Sequence, residues 1–517
     1  MATSSLIRGG HIICRVDSRT EACVIVDGAI YQRDGVIVEI GKWEDMAAKY
    51  QNETILGSAD HVVLPGFVNS HHHVGLTPFQ LGSPDLPLEL WLGSRISARD
   101  VDAYLDTLYS AFEMIESGIT TVQHLHGRVG PPLERMNQVA DKVISAYQKI
   151  GMRVSYSFGL RDQNRLVYEA DEDFANRLAP EVAGEFKRWI ALQTVPVADT
   201  LALFEALHRR YQSDARVRIQ LAPVNLHWCS DQALERVHEV SDRYQAPMHM
   251  HLVETMYQKE YARRRTGGSP VAHLHKLGLL GPLMTLGHGV WLTEPEIELI
   301  AETGTHICTN ASSNLRLRSG IAPLNVFEKK GVRVSLGLDE AGINDDRDML
   351  QEMRLVLRLH RTPGMGDDVP TAPQVLKMAT ENGAHTTPFN STVGTLEPGK
   401  AADLLLIDRR QIAHPYLDAD VSIVDAVIHR ARTSAINLVM VAGEVILRDG
   451  RFTRIDKDEV LKELAASLSV PRTQSEERRR ILSKSLFPHI QEFYSNYCDQ
   501  CASPSLSIGA PAGSRNR

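Results

Sequence analysis

From Leu64 to about Ala384 the chain alternates short apolar runs with longer stretches of helical patterning. Short apolar runs that end in polar residues read as buried strands, and the stretches between them as crossover helices, which is the pattern of a parallel sheet. Candidate strands end near His73, Gln123, Phe158, Pro223, Leu252, His288, Cys308 and Asp339. Eight such units would close a TIM-like (β/α)8 barrel with its chemistry at the carboxyl ends of the strands. The interval from Phe158 to Arg218 is long and leaves room for a further strand around Trp189 to Val195. Thr293-Glu294-Pro295-Glu296 is a capping box with proline in the first turn, and Ile297, Ile300 and Ala301 follow on one helix face.

The two ends of the chain have a different texture. Leu6–Cys14, Cys23–Val26, Ala29–Tyr31 and Gly35–Gly41 read as short strands, with Asp27-Gly28 as a hairpin turn. The same style returns in Gly394–Ile407 and in Val439–Ile446, where Gly443 centres a hairpin. The fold class expected is α/β, a barrel joined to a small β-sandwich domain built from both chain ends. The expected units are residues 1–62 and 389–455 for the small domain, 63–388 for the barrel, 456–500 for a helical extension interrupted by Pro471 and Pro488, and 501–517 for a disordered Ser/Gly/Pro-rich tail.

Composition narrows the class. At 43% hydrophobic and 23% charged, the 517 residues suit a globular protein with a large core, and no apolar stretch is read as long enough to cross a bilayer. A net charge of -8 argues against a nucleic-acid surface. Met1–Arg8 lacks the features of a secretory signal, so the cytoplasm is expected. Cysteines at 14, 23, 229, 308, 498 and 501 form no disulfide framework and fit a reducing compartment; Cys498 and Cys501 make a lone Cys-x-x-Cys without a second pair to complete a zinc site.

Candidate chemistry gathers at the predicted strand ends. His71 and His73 lie two apart at the end of one apolar run and so project the same way, with His72 turned away. His249 and His251 repeat that spacing before Glu254, His288 ends the next strand, and Asp339 closes Gly331–Leu338. Three histidines and a carboxylate with an open position would hold a divalent ion and lower the pKa of a bound water towards about 7. His249 shares a face with His251, which leaves it open as a ligand or as a hydrogen-bonding group inside the barrel. His124 and His126 end another strand and would line the pocket, whereas His306 is expected to pack within its strand.

Pro65–His73, His251–Thr255, Gly287-His288, Ser313–Pro323, Leu336–Asp339, Gly394–Asp403 and Asp85–Leu92 together resemble the amidohydrolase superfamily. The resemblance is to its mononuclear-metal branch of adenosine- and S-adenosylhomocysteine-type deaminases, guanine deaminase and triazine chlorohydrolases. It implies His71, His73, His251 and Asp339 as ligands of one divalent ion, zinc or alternatively iron. It also implies Glu254, His288 and Asp339 as the catalytic groups, with Glu254 protonating a ring nitrogen. The superfamily's binuclear branch uses a carbamylated lysine on a central strand; Arg216–Pro223 has none, and Lys187 lies in a helical-looking segment.

The chain departs from that pattern in its pocket. Val224 stands where the deaminases carry histidine in a segment resembling Ala-Pro-His-Ala-Pro-Tyr, Thr309-Asn310-Ala311-Ser312 replaces a His-Asn-Pro segment, and Glu340 follows the metal aspartate. Trp91 or Trp228 would stack on a flat ring, and Gln80, His126, Arg161, Gln163, Asn225 and His227 are candidates to read its polar edges. The expected activity is deamination of a purine, pterin or triazine-like heterocycle. Displacement of chloride or alkylamine, or opening of a cyclic amide or urea, is the alternative at the same site, and a non-catalytic scaffold is the remote one. Expected partners are the small heterocycle and further copies of the chain, with neither nucleic acid nor membrane.

Overall fold

The computed structural model describes residues 4–73, 75–127 and 129–498. Its centre is eight parallel strands: β1 (Phe67–His72), β2 (Ile119–His126), β3 (Arg153–Leu160), β4 (Val217–Ile219, continued by Ala222–Pro223), β5 (Met248–Leu252), β6 (Met284–His288), β7 (His306–Thr309) and β8 (Val334–Leu336). Strands β1 to β4 pair in order, as do β5 to β8. The bridges Leu221–Met248 and His72–Asp339 join the two halves and close a TIM-like barrel. Val122, Val154, Met250, Leu286, Ile307 and Leu336 are fully buried, which is why the strands read as nearly continuous apolar runs.

Both chain ends build one mixed sheet of eight strands. Ser4–Val16, Ala22–Arg33, Val36–Lys42 and Ile55–Pro65 come from the start, and Leu404–Asp408, Ile436–Val441, Glu444–Arg448 and Arg451–Phe452 from the end. Ile55–Pro65 pairs antiparallel with Leu404–Asp408 and so joins them. The sheet is continuous and folds back on itself: Ile37 N donates to Lys400 O and Gly399 N to Ile37 O, each at 2.8 Å. Ile7, Ile12, Ile30, Val63, Leu404 and Leu438 fill the space enclosed. A buried two-point ion pair, Arg153 Nε and Nη2 on the Asp403 carboxylate at 2.9 Å each, ties this sheet to β3. Removing one partner would strand the other charge in the interior, at a cost of about 3–5 kcal/mol.

Several expectations are corrected. Asp27-Gly28 makes no turn; it lies inside Ala22–Arg33, because Gly28 pairs with Gly9 in a ladder that runs on past it. The turn is Asp34-Gly35, with φ of 53° and 83°. Trp189–Val195 holds no strand: Pro180–Gln193 is a helix that buries Phe186 and Trp189. Pro488 lies within the continuous helix Gln474–Ser495, where both it and Lys484, whose carbonyl it leaves without a donor, face solvent. The helical stretch Pro180–Tyr211 does contain a window of mean hydropathy 1.4, long and apolar enough to span a bilayer. It is broken between Gln193 and Val197 into two helices, which bury Phe186, Trp189, Leu201, Phe204 and Leu207. Cys14, Cys23, Cys229 and Cys308 are free thiols, and Cys498 is disulfide-bonded. Cys501 and the expected tail 501–517 lie outside the described residues.

The terminal helix Gln474–Ser495 positions the site. Its Leu482, Leu486, Ile490 and Tyr494 pack with Phe174, Phe186 and Trp189. Ser483 Oγ donates to Gly93 O at 2.9 Å, and a side chain at Gly93 would lie 2.6 Å from Ile490 Cδ1. Gly93 belongs to the helix Leu88–Ser94, which forms one wall of the cavity described next.

Candidate active site

Side chains from β1, β5 and β8 converge at the carboxyl mouth of the barrel. His71 Nε2 is 2.9 Å from His73 Nε2 and 3.1 Å from His251 Nε2, and the last two are 3.1 Å apart. Asp339 Oδ1 lies 3.2 Å from His73 Nε2 and 3.6 Å from His71 Nε2. A neutral imidazole carries one proton, so three mutually close nitrogens are not a set of hydrogen bonds. They are lone pairs aimed at one point beside a carboxylate, a donor set that could hold a divalent cation.

The outer nitrogens agree with that reading. Nδ1 of His73 donates to Leu125 O at 2.7 Å and Nδ1 of His251 to Val224 O at 2.7 Å, which turns each Nε2 lone pair inward. His71 Nδ1 lies 2.8 Å from His249 Nε2, so the ambiguous His249 supports a neighbouring imidazole from behind. His72 points the other way, with Nε2 3.3 Å from Ser110 Oγ. Burial, and then the neighbouring imidazoles, push His71 and His251 well below the usual histidine range, keeping them neutral. His73 differs: against burial, the Asp339 carboxylate raises it, and protonated His73, helped by His288 and Ser313, holds the Asp339 carboxyl well below the usual range against its own burial, a proton whose place a bound cation would take. Lys187 pairs with Glu172 on an exposed helix.

The backbone explains the convergence. Asn69 Oδ1 accepts from Leu338 N at 3.0 Å and from His71 N at 3.3 Å, and Asp339 N donates to His71 O at 2.8 Å, locking β8 against β1. A Cβ on Gly337 would lie 2.5 Å from His71 Cβ, so only glycine permits this approach. Val253, His288 and Asp339 adopt left-handed φ of 41°, 69° and 53°. Such backbone costs about 1–3 kcal/mol per residue, most for a β-branched side chain, and here it turns Glu254, His288 and Asp339 into the mouth.

Glu254 and His288 face this cluster. His288 Nδ1 donates to Asn314 Oδ1 at 2.8 Å, leaving Nε2 3.9 Å from Asp339 Oδ2, and Asn310 Nδ2 lies 3.2 Å from that Nε2. Glu254 Oε1 is 3.7 Å from His288 Nδ1 and accepts from Ser319 Oγ at 3.2 Å. Gln258 fixes the Glu254 backbone, its Oε1 accepting from Glu254 N at 2.9 Å. Burial raises the Glu254 pKa; His288 opposes this and Asp339 adds to it. Ser313 Oγ donates to Asp339 Oδ2 at 2.6 Å. Residue patterning alone missed these supports. Ser313, Asn314 and Ser319 sat inside a recognisable run, and Gln258 one helical turn beyond Glu254 was the available signal.

The Amidohydrolase family model matches residues 62–446. The chain belongs to the amidohydrolase family. Among relatives of this amidohydrolase, a protein of Syntrophobacter fumaroxidans named 5-methylthioadenosine/S-adenosylhomocysteine deaminase is 30% identical over 440 residues, covering 84% of this chain and 91% of that protein. An adenosine deaminase from Xanthomonas campestris with bound zinc superposes with a TM-score of 0.77 at 23% identity, covering 93% of this chain and 99% of that one. The zinc complex of atrazine chlorohydrolase from Arthrobacter aurescens gives 0.77 at 21%, covering 89% and 99%.

Against this histidine and aspartate cluster of the amidohydrolase lies a cavity of about 440 Å³, lined by His73, His251, Glu254, His288 and Asp339 at its base. Trp91, His126, Arg161, Asn225 and Trp228 form its walls, with His124 behind His126. Three expected contacts are elsewhere. Gln80 caps Thr77 N at 2.8 Å and donates to Tyr109 OH at 2.9 Å, so it serves its own turn. Gln163 Nε2 is spent on His227 O and Tyr261 OH. His227 is 1% exposed and packs with its ring 4.2 Å from that of Tyr168, outside the cavity lining. His306 packs as expected, with Nε2 on Pro282 O at 3.1 Å.

Proposed function

We propose that this amidohydrolase is a metal-dependent aminohydrolase that removes an amino group from a nitrogen heterocycle. The observation that carries the reading is Glu254: a buried carboxyl facing the same cavity as the three-histidine, one-aspartate cluster. Simple amide cleavage needs no acid at a ring nitrogen, whereas hydrolysis of an amidine-like ring does. We take zinc as the ion, since three imidazoles and a carboxylate suit it and two structural relatives hold it, although iron accepts the same donors.

Held by His71, His73, His251 and Asp339, the ion would act as a Lewis acid and make water a stronger nucleophile near neutral pH. The residues do the proton transfers. Glu254 gives a proton to the ring nitrogen beside the carbon under attack, which makes that carbon electron-poor. His288, oriented by Asn314, presents its Nε2 lone pair to the attacking water, and Asp339 takes the proton released and returns it to the amino group. The new carbon–oxygen bond replaces the carbon–nitrogen bond, ammonia leaves, and the proton still on the new hydroxyl passes back to Glu254 as the ring carbonyl forms. Trp91 and Trp228 offer faces for the ring, with Arg161, Asn225 and His126 at its edges.

Ammonia release from a panel of amino-purines, amino-pterins and amino-triazines tests the proposal. Turnover of a chloro- or alkylamino-substituted ring without ammonia would replace it with the displacement chemistry.

A further inference from the structure

His126 has a nitrogen in the cavity that takes no part in the proton transfers above. His124 and His126 both end β2 and both line the cavity beside the metal cluster. They are joined in a line: Tyr147 Oη lies 2.9 Å from His124 Nδ1, and His124 Nε2 lies 3.1 Å from His126 Nδ1. His126 Nε2, the end of that line, makes no hydrogen bond among the described residues.

The direction of the line follows from where its protons can go. Tyr147 is fully buried and burial pushes its pKa far up, so the hydroxyl keeps its proton. Ser110, the other polar group beside it, commits its own proton to Thr107 O at 3.0 Å. A phenol proton is drawn to an imidazole lone pair in preference to a hydroxyl oxygen, so Tyr147 donates to His124 Nδ1. Neutral His124 then carries its single proton on Nε2 and donates it to His126 Nδ1. With Nδ1 occupied as an acceptor, neutral His126 holds its proton on Nε2, facing the cavity.

We propose that His126 is a specificity-determining residue that presents a fixed N–H donor to the substrate, with Tyr147 and His124 as positioning residues that set its tautomer. The substrate class is thereby narrowed to heterocycles that offer a hydrogen-bond acceptor, a ring nitrogen or a carbonyl oxygen, at that edge. A donor there, such as an amino group, would meet a second donor and be rejected. The substrate-class part rests on the aminohydrolase reading; the tautomer does not.

Two experiments on the zinc-loaded full chain separate these. In enzyme labelled with 15N-histidine, the His126 signals, assigned by their loss in His126→Gln, should show a protonated Nε2 and a bare Nδ1. Tyr147→Phe should shift that balance. A proton on Nδ1 of the wild type overturns the proposal whatever the substrate is. The second experiment measures binding and ammonia release with adenosine, 3-deazaadenosine and 7-deazaadenosine, two of which lack one ring acceptor. Wild type should discriminate against one analogue by roughly 10-fold or more. His126→Phe should erase that preference, His126→Gln should retain much of it, and Tyr147→Phe should raise KM with little change in kcat. A preference that survives His126→Phe unchanged overturns the specificity role. Failure of all three purines to bind or release ammonia, with the tautomer as expected, would count against the purine version of the aminohydrolase reading and leave the donor in place.

Discussion

His249 offers the sharpest test of how the metal cluster is held. Of the three clustered imidazoles, His73 and His251 are oriented by backbone carbonyls, which substitution cannot remove. His71 alone is oriented by a side chain, through the 2.8 Å contact between its Nδ1 and His249 Nε2. His249→Leu removes the acceptor and leaves a buried N–H on His71 without a partner, a loss of about 1–3 kcal/mol. Loss of an outer partner typically weakens metal binding about 10–100-fold, which is about 1.4–2.7 kcal/mol, so the two routes agree. His249→Gln, whose amide oxygen can accept from His71, should recover most of the affinity. Competition against a chromophoric chelator measures both, with circular dichroism checking the fold. Zinc held as tightly by the folded Leu variant as by wild type would refute the supporting role. A loss far beyond 100-fold, with no recovery in Gln, would instead make His249 a ligand.

Glu254→Gln should keep its metal and lose about 10²–10⁴ in kcat/KM, since a general acid contributes that much; retention of activity within a few-fold would remove Glu254 from the mechanism. Gly337→Ala should fail to retain metal, because the new methyl would sit 2.5 Å from His71 Cβ, and a metal analysis matching wild type would show that β8 can shift. His72→Asn should spare metal content while His71→Ala abolishes it, and equal loss in both would undo the division of the triplet. Glu89 is 2% exposed, and burial raises its pKa from the usual 4.5 to about 7 while Tyr168 and Thr255 donate to it. A folded-state pKa above the unfolded one means stability is fully present below about 4.5 and lost as pH rises through 7, here by about 3 kcal/mol. Glu89→Gln should therefore gain on wild type by about that amount between pH 5 and pH 8 in urea unfolding, and parallel pH profiles would contradict the buried carboxyl.

The site was more legible than its supports, and the reason is geometric. A barrel fixes one thing per strand, the carboxyl end, so a polar residue closing an apolar run reveals its own position: His71, His73, His251, His288 and Asp339 all do this. Two-residue periodicity gives a face but no depth, which is why His249 and His251 could not be told apart until β1 placed His71 between them. Supports such as Asn314 and Ser319 act on groups 26 and 65 residues away, where periodicity does not mark them, whereas Gln258 lies one helical turn from the Glu254 it holds. The same limit explains the misplaced pocket residues. Gln80, Gln163 and His227 are polar groups near the right loops, but each loop spends them on its own backbone or packing. Asp27-Gly28 failed for the opposite reason: its local chemistry allowed a turn, and a pairing with Gly9 outside the window overruled it. A side chain that reads a substrate needs a donor or acceptor left open to the cavity, so the discriminating question for each candidate is which atoms the fold leaves unspent. Among the edge-reading candidates, Gln80 and Gln163 are spent while His126 keeps one nitrogen open to the cavity, and this difference makes His126 the stronger reader of substrate.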